Sequence, residues 1–150
     1  MTATQGSIDE TVVLGSDAYD EILDLWRRAG LPAQPEGRDA PEAFRAQERT
    51  GLQRAVGIRE DGRLIAVAIL THDGRKGWIN RLAVDPASRR QGHAVALLAE
   101  AERWFSEEAG VEVYAALIHA DNEPSLALFG RAGYETIDVV YVRKKARPAA

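Results

Sequence analysis

Ser88-Arg89-Arg90-Gln91-Gly92-His93-Ala94 places two guanidinium groups and a glycine directly before a helix-like apolar pattern. The N–H groups at a helix start lack intrahelical partners, and the helix dipole behind them favours an anion. Gly92 has no Cβ, so a phosphate can approach its backbone closely. Arg89 and Arg90 add planar donors that match phosphate oxygens. The same residues also read as an ordinary helix start with solvated arginines. The stretch is not a Walker loop, because no Gly-Lys-Ser/Thr follows, and it is not a GxGxxG dinucleotide fingerprint.

Other chemistry is sparse. The three histidines, His72, His93 and His119, are too scattered for metal-ligand spacing, and no metal is expected. His72 belongs to a turn, and His93 is expected to be exposed at a variable position of the loop. His119 titrates in a useful range but reads more simply as a solvated loop residue. The chain has no cysteine, which excludes disulfides, thiolate metal sites and a covalent cysteine mechanism. Its 150 residues, 45% apolar and 28% charged, fit one folded domain over 1–150 with loose ends at 1–10 and 146–150. A net charge of −4 argues against sequence-independent nucleic-acid binding, and no segment reads as a membrane span. The N-terminus, MTATQGSIDE, has no apolar core of a signal peptide, so a cytoplasmic location is expected.

The elements that must position the loop are set by periodicity. A short strand is expected at Thr11 to Leu14 and a helix at Asp17 to Ala29, ended by Gly30. Asp39-Ala40-Pro41-Glu42 reads as a capping box with Asp39 as N-cap, opening a helix through about Glu48. Gln53 to Arg59 and Leu64 to Thr71 form a hairpin across Asp61-Gly62, and Trp78 to Val84 continues the meander. The helix after Gly92 carries Val95, Leu97, Leu98, Ala101, Trp104 and Phe105 on its apolar face. Val111 to Ile118 reads as a strand, Pro124 to Ala132 as a helix and Tyr134 to Val142 as a last strand. Trp26, Trp104 and Phe105 read as core. The basic run Arg143 to Arg147 reads as a solvated, frayed tail that could touch an acidic partner. The order predicts a mixed sheet with helices on both faces, in the α+β or mixed α/β class, with one parallel pair made by a right-handed crossover.

Leu82-Ala83-Val84-Asp85-Pro86 with Arg89, Gly92 and Ala94 resembles the acyl-CoA signature of the GNAT superfamily of N-acetyltransferases, Arg/Gln-x-x-Gly-x-Gly/Ala. Asn122, Ser125 and Phe129, followed by Gly133-Tyr134, are similar to the family's second block. Asp73-Gly74-Arg75 with Gly77-Trp78 further resembles the small bacterial YpeA-like subgroup. The resemblance runs from about Thr11 to Lys145.

It implies the GNAT fold, acetyl-CoA as co-substrate and acetyl transfer to a primary amine in a ternary complex. The pyrophosphate would rest on the backbone from Arg90 through Gln91, Gly92 and His93 to Ala94, with Arg89 or Arg90 as clamp. The pantetheine arm would run along Leu82, Ala83 and Val84, with Asn122 and Ser125 on the opposite wall. A backbone N–H near Leu82 or Ala83 would stabilise the oxyanion.

Two departures stand out. Phe129 occupies the position where most members carry the tyrosine that protonates the leaving thiolate, and phenylalanine donates no proton. Either catalysis proceeds without that tyrosine, or the chain is a weakly active or non-catalytic acyl-CoA-binding module. The general base is unassigned, with Asn80, Tyr114 and His119 as the catalytic candidates and Asn80 and Arg81 standing where some relatives place a carboxylate. Nucleotide binding without CoA is disfavoured, since no magnesium site is evident near the loop. The acceptor is a small-molecule or peptide amine that sequence does not identify. The short stretch after Tyr134 predicts an open acceptor side. Homodimers are common in the family, but no apolar stripe assigns one here.

Overall fold

The computed structural model describes residues 10–150; the first nine, most of the predicted N-terminal loose end, lie outside the described residues. Five strands form one mixed sheet in the order β1 to β5: β1 (Val12–Leu14), β2 (Gln53–Glu60), β3 (Arg63–His72), β4 (Gly77–Val84) and β5 (Tyr114–Ala115). The first four pair antiparallel, and β4 pairs β5 in parallel. The β2–β3 hairpin turns on Asp61 and Gly62, both in the left-handed region at φ 54° and 80°. That geometry matches the right-handed strand twist, which is why Asp-Gly signals a hairpin.

Helices cover both faces. On one lie α1 (Tyr19–Ala29) and α2 (Pro41–Arg49), where Ile22, Leu25, Trp26 and Phe44 pack on Ala55, Leu64, Val67, Ile69 and Ala83. On the other lie α3 (His93–Arg103), which continues as a π-helical turn over Trp104–Ala109, and α4 (Glu123–Arg131). There Leu97, Leu98, Ala101, Trp104, Phe105 and Phe129 pack on Val56, Ile65, Ala68, Leu70 and Ile79. The Phe105 ring lies so close to Gly77 that a Cβ there would sit 2.5 Å from it. A larger residue at 77 would force this helix off the sheet.

Several expectations are corrected. Asp39 is not the cap of α2; Ala40 is, with no side-chain cap bond. The Asp39 carboxylate instead accepts from the Gln34 N–H at 2.7 Å and from Arg81 Nη2 at 2.8 Å. A tertiary charge partner outcompeted the local helix end. Val95 is 58% exposed, and His93 takes the inward row with Leu97 and Ala101, four and eight residues on. The strand predicted at 111–118 pairs only at Tyr114–Ala115, and no strand forms over 134–142. Both stretches have strand-like side chains, but a strand also needs an adjacent edge to pair with, and β propensity alone supplies none. The tail is not loose either: Arg147 Nη2 donates to the Glu36 carbonyl at 2.9 Å, and the backbone at Ala149 lies against Gly37.

Candidate functional site

The site begins with an irregularity in β4. Val67 pairs with Ala83 and Ile69 with Asn80, so Arg81 and Leu82 together face the single residue Ala68. This is a β-bulge, and its first residue, Arg81, is left-handed at φ 52°, an uncommon conformation for a residue with a side chain. The extra residue breaks alternation. Asn80 and Arg81 both line the α1–α2 face, whereas Leu82 and Val84 pack on the opposite cluster.

Pairing of β4 with β5 stops before the bulge is reached. Pairing runs only through Gly77 with Tyr114 and Trp78 with Ala115. From Ile79 to Val84 the β5-facing edge of β4 therefore has no strand beside it. Unpaired backbone N–H and C=O groups at such an edge accept an extended ligand as an added strand.

Asp85 closes β4 and shapes the loop beyond it. It is 5% exposed, and its carboxylate accepts from the Ala87 N–H at 2.9 Å and from the Arg28 guanidinium, with Arg63 at 3.6 Å. A short 3-10 turn, Pro86–Ser88, then leads to Arg90 at φ 66° and Gly92 at φ 85°. Gly92 caps α3 without any side-chain acceptor. The first helical bond runs from the Ala96 N–H to the Gly92 carbonyl, which leaves the N–H groups of His93, Ala94 and Val95 without helical acceptors. A Cβ built on Gly92 meets no atom within 4 Å, so the space over the helix end is open. Arg89, Arg90 and Gln91 are exposed around it, with Arg89 Nε donating to the Val84 carbonyl at 3.4 Å. An open, uncapped helix end ringed by two guanidinium groups fits a diphosphate.

His93 departs from expectation. It is 4% exposed, and neither ring nitrogen has a hydrogen-bond partner among the described residues. Its place on the inward row of α3 was legible from the spacing with Leu97 and Ala101, but the polar ring argued the other way.

The remaining candidates are spread out. Asn122 caps α4, its Oδ1 accepting from the Ser125 N–H at 3.2 Å, and His119 is exposed in the turn before it. Tyr114 stacks on Phe105 at 5.5 Å and so belongs to the α3 side of the sheet. Phe129 is 6% exposed and meets Tyr134 edge-on at 5.1 Å. The Tyr134 hydroxyl donates to Glu102 Oε2 at 2.8 Å, and burial followed by that carboxylate pushes its pKa well above the usual phenol range. A phenol so held is a poor proton donor. Among the described residues no cluster of three or more His, Asp or Glu could hold a metal.

A second region, for which the sequence offered Asn80 and Arg81 but not Trp26, Thr71 or the tail, lies on the α1–α2 face beside the bulge. Arg81 stacks 4.6 Å over the Trp26 ring and bonds Asp39, while Asn80 Nδ2 donates to Thr71 Oγ1 at 3.0 Å. Two cavities meet at Arg38, Asn80 and Arg81. One, about 240 Å³, is lined further by Trp26, Phe44 and Thr71; the other, about 410 Å³, is walled by Tyr141, by Arg143 to Ala146 and by Ala150. The acceptor side expected to be open is thus flanked by the folded-back tail. Nothing in the run Arg143-Lys144-Lys145 foretold which surface it would meet.

Comparisons with known proteins agree with this geometry. Residues 19–134 match the acetyltransferase (GNAT) family. An acetyltransferase, ECA0875, from Pectobacterium atrosepticum is 22% identical over 138 residues, covering 91% of this chain and 94% of the relative. Among solved structures, the aminoglycoside acetyltransferase AAC(6')-Iy in complex with a CoA-neamine bisubstrate analogue superposes with a TM-score of 0.77 at 17% identity, covering 91% and 98% of the two chains. The PaiA N-acetyltransferase of Thermoplasma acidophilum in complex with coenzyme A gives 0.74 at 17% identity, covering 87% and 92%. No helix among the described residues is long and apolar enough to cross a membrane. With a family match spanning most of the chain, a mixed sheet of the same architecture and a strand opening beside an uncapped helix, this protein belongs to the GNAT family of acetyltransferases.

Proposed function

We propose that this acetyltransferase moves an acetyl group from acetyl-CoA to a primary amine by direct transfer, with both substrates bound together. The observation that carries the reading is the unpaired edge of β4 ending at the uncapped start of α3. The N–H groups from Arg90 to Ala94 hold the pyrophosphate, and Arg89 or Arg90 clamps it. The pantetheine arm lies along Leu82 to Val84, with Asn122 and Ser125 lining the other wall. The amine nitrogen attacks the thioester carbonyl carbon; a C–N bond forms, the C–S bond breaks, the nitrogen loses a proton and CoA leaves as the thiol. A backbone N–H at Leu82 or Ala83 stabilises the oxyanion, and proximity does much of the rest.

Asn80 positions the amine, since its amide nitrogen is engaged by Thr71 and its Oδ1 is left as the acceptor. The proton for the leaving thiolate comes from water, because Phe129 carries no donor and the Tyr134 hydroxyl is committed to Glu102. That same pair of observations favours a second reading, a module that binds acyl-CoA without turning it over. Within the family we assign the chain to the YpeA-like subgroup, on Asp73-Gly74-Arg75 and Gly77-Trp78.

Calorimetric titration with acetyl-CoA tests the first step, with Gly92→Glu as the control that should lose binding. Release of CoA thiol in the presence of an amine separates the two readings, and a chain without cysteine adds no thiol background. Binding without amine-stimulated release selects the non-catalytic module. No binding at all overturns both.

A further inference from the structure

The charge around the larger cavity points to what the acceptor carries besides its amine. Five basic residues line it from three separate parts of the chain: Arg38 before α2, Arg81 on the bulge, and Arg143, Lys144 and Lys145 on the tail. Among the described residues no Asp or Glu lines this cavity, and the negative groups at its margin are the main-chain carboxylate of Ala150 and, in the smaller cavity next door, Asp39, which is engaged by Arg81 at 2.8 Å. One nitrogen of Arg81, Nη1, is buried without a hydrogen-bond partner. The protein as a whole is acidic, at −4, so this concentration of positive charge is local rather than a reflection of composition. The cavity adjoins Asn80, where the amine is read to sit, and its volume of about 410 Å³ suits a small molecule or a short peptide.

We infer that the acceptor is a primary amine bearing carboxylate groups, which Arg38, Arg143, Lys144 and Lys145 hold while the amine reaches the thioester beside Asn80. The inference rests on the acetyltransferase reading and deepens it. A polycationic amine, such as the neamine moiety in the complex of the aminoglycoside enzyme, is repelled by the same surface.

The test is equilibrium binding to protein saturated with a non-transferable acetyl-CoA analogue, so that turnover is not required. Two C-terminally amidated dipeptides serve as probes, alanyl-glutamate and alanyl-arginine, which share a free amine and differ in the sign of one side chain. The glutamate peptide should bind at least about tenfold tighter, with the preference shrinking as salt rises. The triple variant Arg143→Gln/Lys144→Gln/Lys145→Gln should erase most of that preference while leaving affinity for the acetyl-CoA analogue within about twofold. Equal binding, or tighter binding of the arginine peptide, overturns the inference and leaves the acetyltransferase reading standing. If the triple variant instead weakens the analogue, the cations belong to the co-substrate's phosphates and the inference is likewise overturned. Failure of the native protein to bind the analogue at all removes the underlying reading itself.

Discussion

The two halves of the site are built from different materials. The proposed co-substrate side offers main chain: the edge of β4, the left-handed pair Arg90 and Gly92, and an uncapped helix start within a dozen residues of one another. The proposed acceptor side offers residues brought together from Trp26, Arg38, Asp39, Asn80, Arg81 and the tail. Main-chain recognition depends on a local conformation, so a short motif records it. Side-chain recognition depends on which surfaces happen to meet, and no local signal records that. A chain built this way can keep its co-substrate while its acceptor changes.

The sharpest way to break this contrast is Gly92→Glu. It puts a carboxylate where the anion belongs and should weaken acetyl-CoA by about 100-fold, about 2.8 kcal/mol. The side chain has open space, so the fold should lose only the cost of a left-handed residue, about 1–2 kcal/mol. Calorimetry and a thermal melt check both. If acetyl-CoA affinity survives, the main-chain half of the contrast is wrong.

Arg81→Gly probes the other half. Glycine keeps the bulge conformation and removes the guanidinium, so affinity for the acceptor should fall about tenfold, equivalent to about 1.4 kcal/mol, with acetyl-CoA binding little changed. A parallel loss of acetyl-CoA affinity would show that the two halves are not separable. Phe129→Tyr asks whether a restored phenol matters: kcat should change by less than the roughly 10²–10⁴-fold a general acid supplies. A rise within that range would locate the missing proton donor.

The smallest effect is expected at Tyr134. Its hydroxyl is a half-buried donor to Glu102, and Tyr134→Phe should cost about 1 kcal/mol in a denaturant melt. The folded phenol holds its proton more tightly than the unfolded one, whose range is near 10.0. The stabilisation is therefore complete below that pH and is lost as pH rises through the folded value. Ultraviolet titration of the four tyrosines should show a late phase that Tyr134→Phe removes.

Legibility in the sequence divides along the same line. The meander, the Asp61-Gly62 hairpin, the helix after Gly92 and the parallel crossover pair were all readable, because each rests on local periodicity or turn chemistry. The strands at 111–118 and 134–142 were over-read: the first pairs only at Tyr114–Ala115, and in the second Val139, Val140 and Val142 carry strand propensity but end 71%, 86% and 82% exposed. His93 was misplaced because its polarity outweighed its spacing. Asp39 passed for a helix cap, and its true partner, Arg81, lies 42 residues away. The tail's role was invisible, because three basic residues in a row specify a charge but not an address.

The bulge at Arg81 has a genetic corollary. Ile79 and Asn80 before it, and Leu82 and Ala83 after it, already alternate correctly between the two faces if residue 81 is simply skipped. Loss of one codon would therefore restore a regular ladder between β3 and β4 without turning any other side chain over. Such a deletion would keep the alternation of β4 and remove, in one step, the Asp39 ion pair and the stack on Trp26.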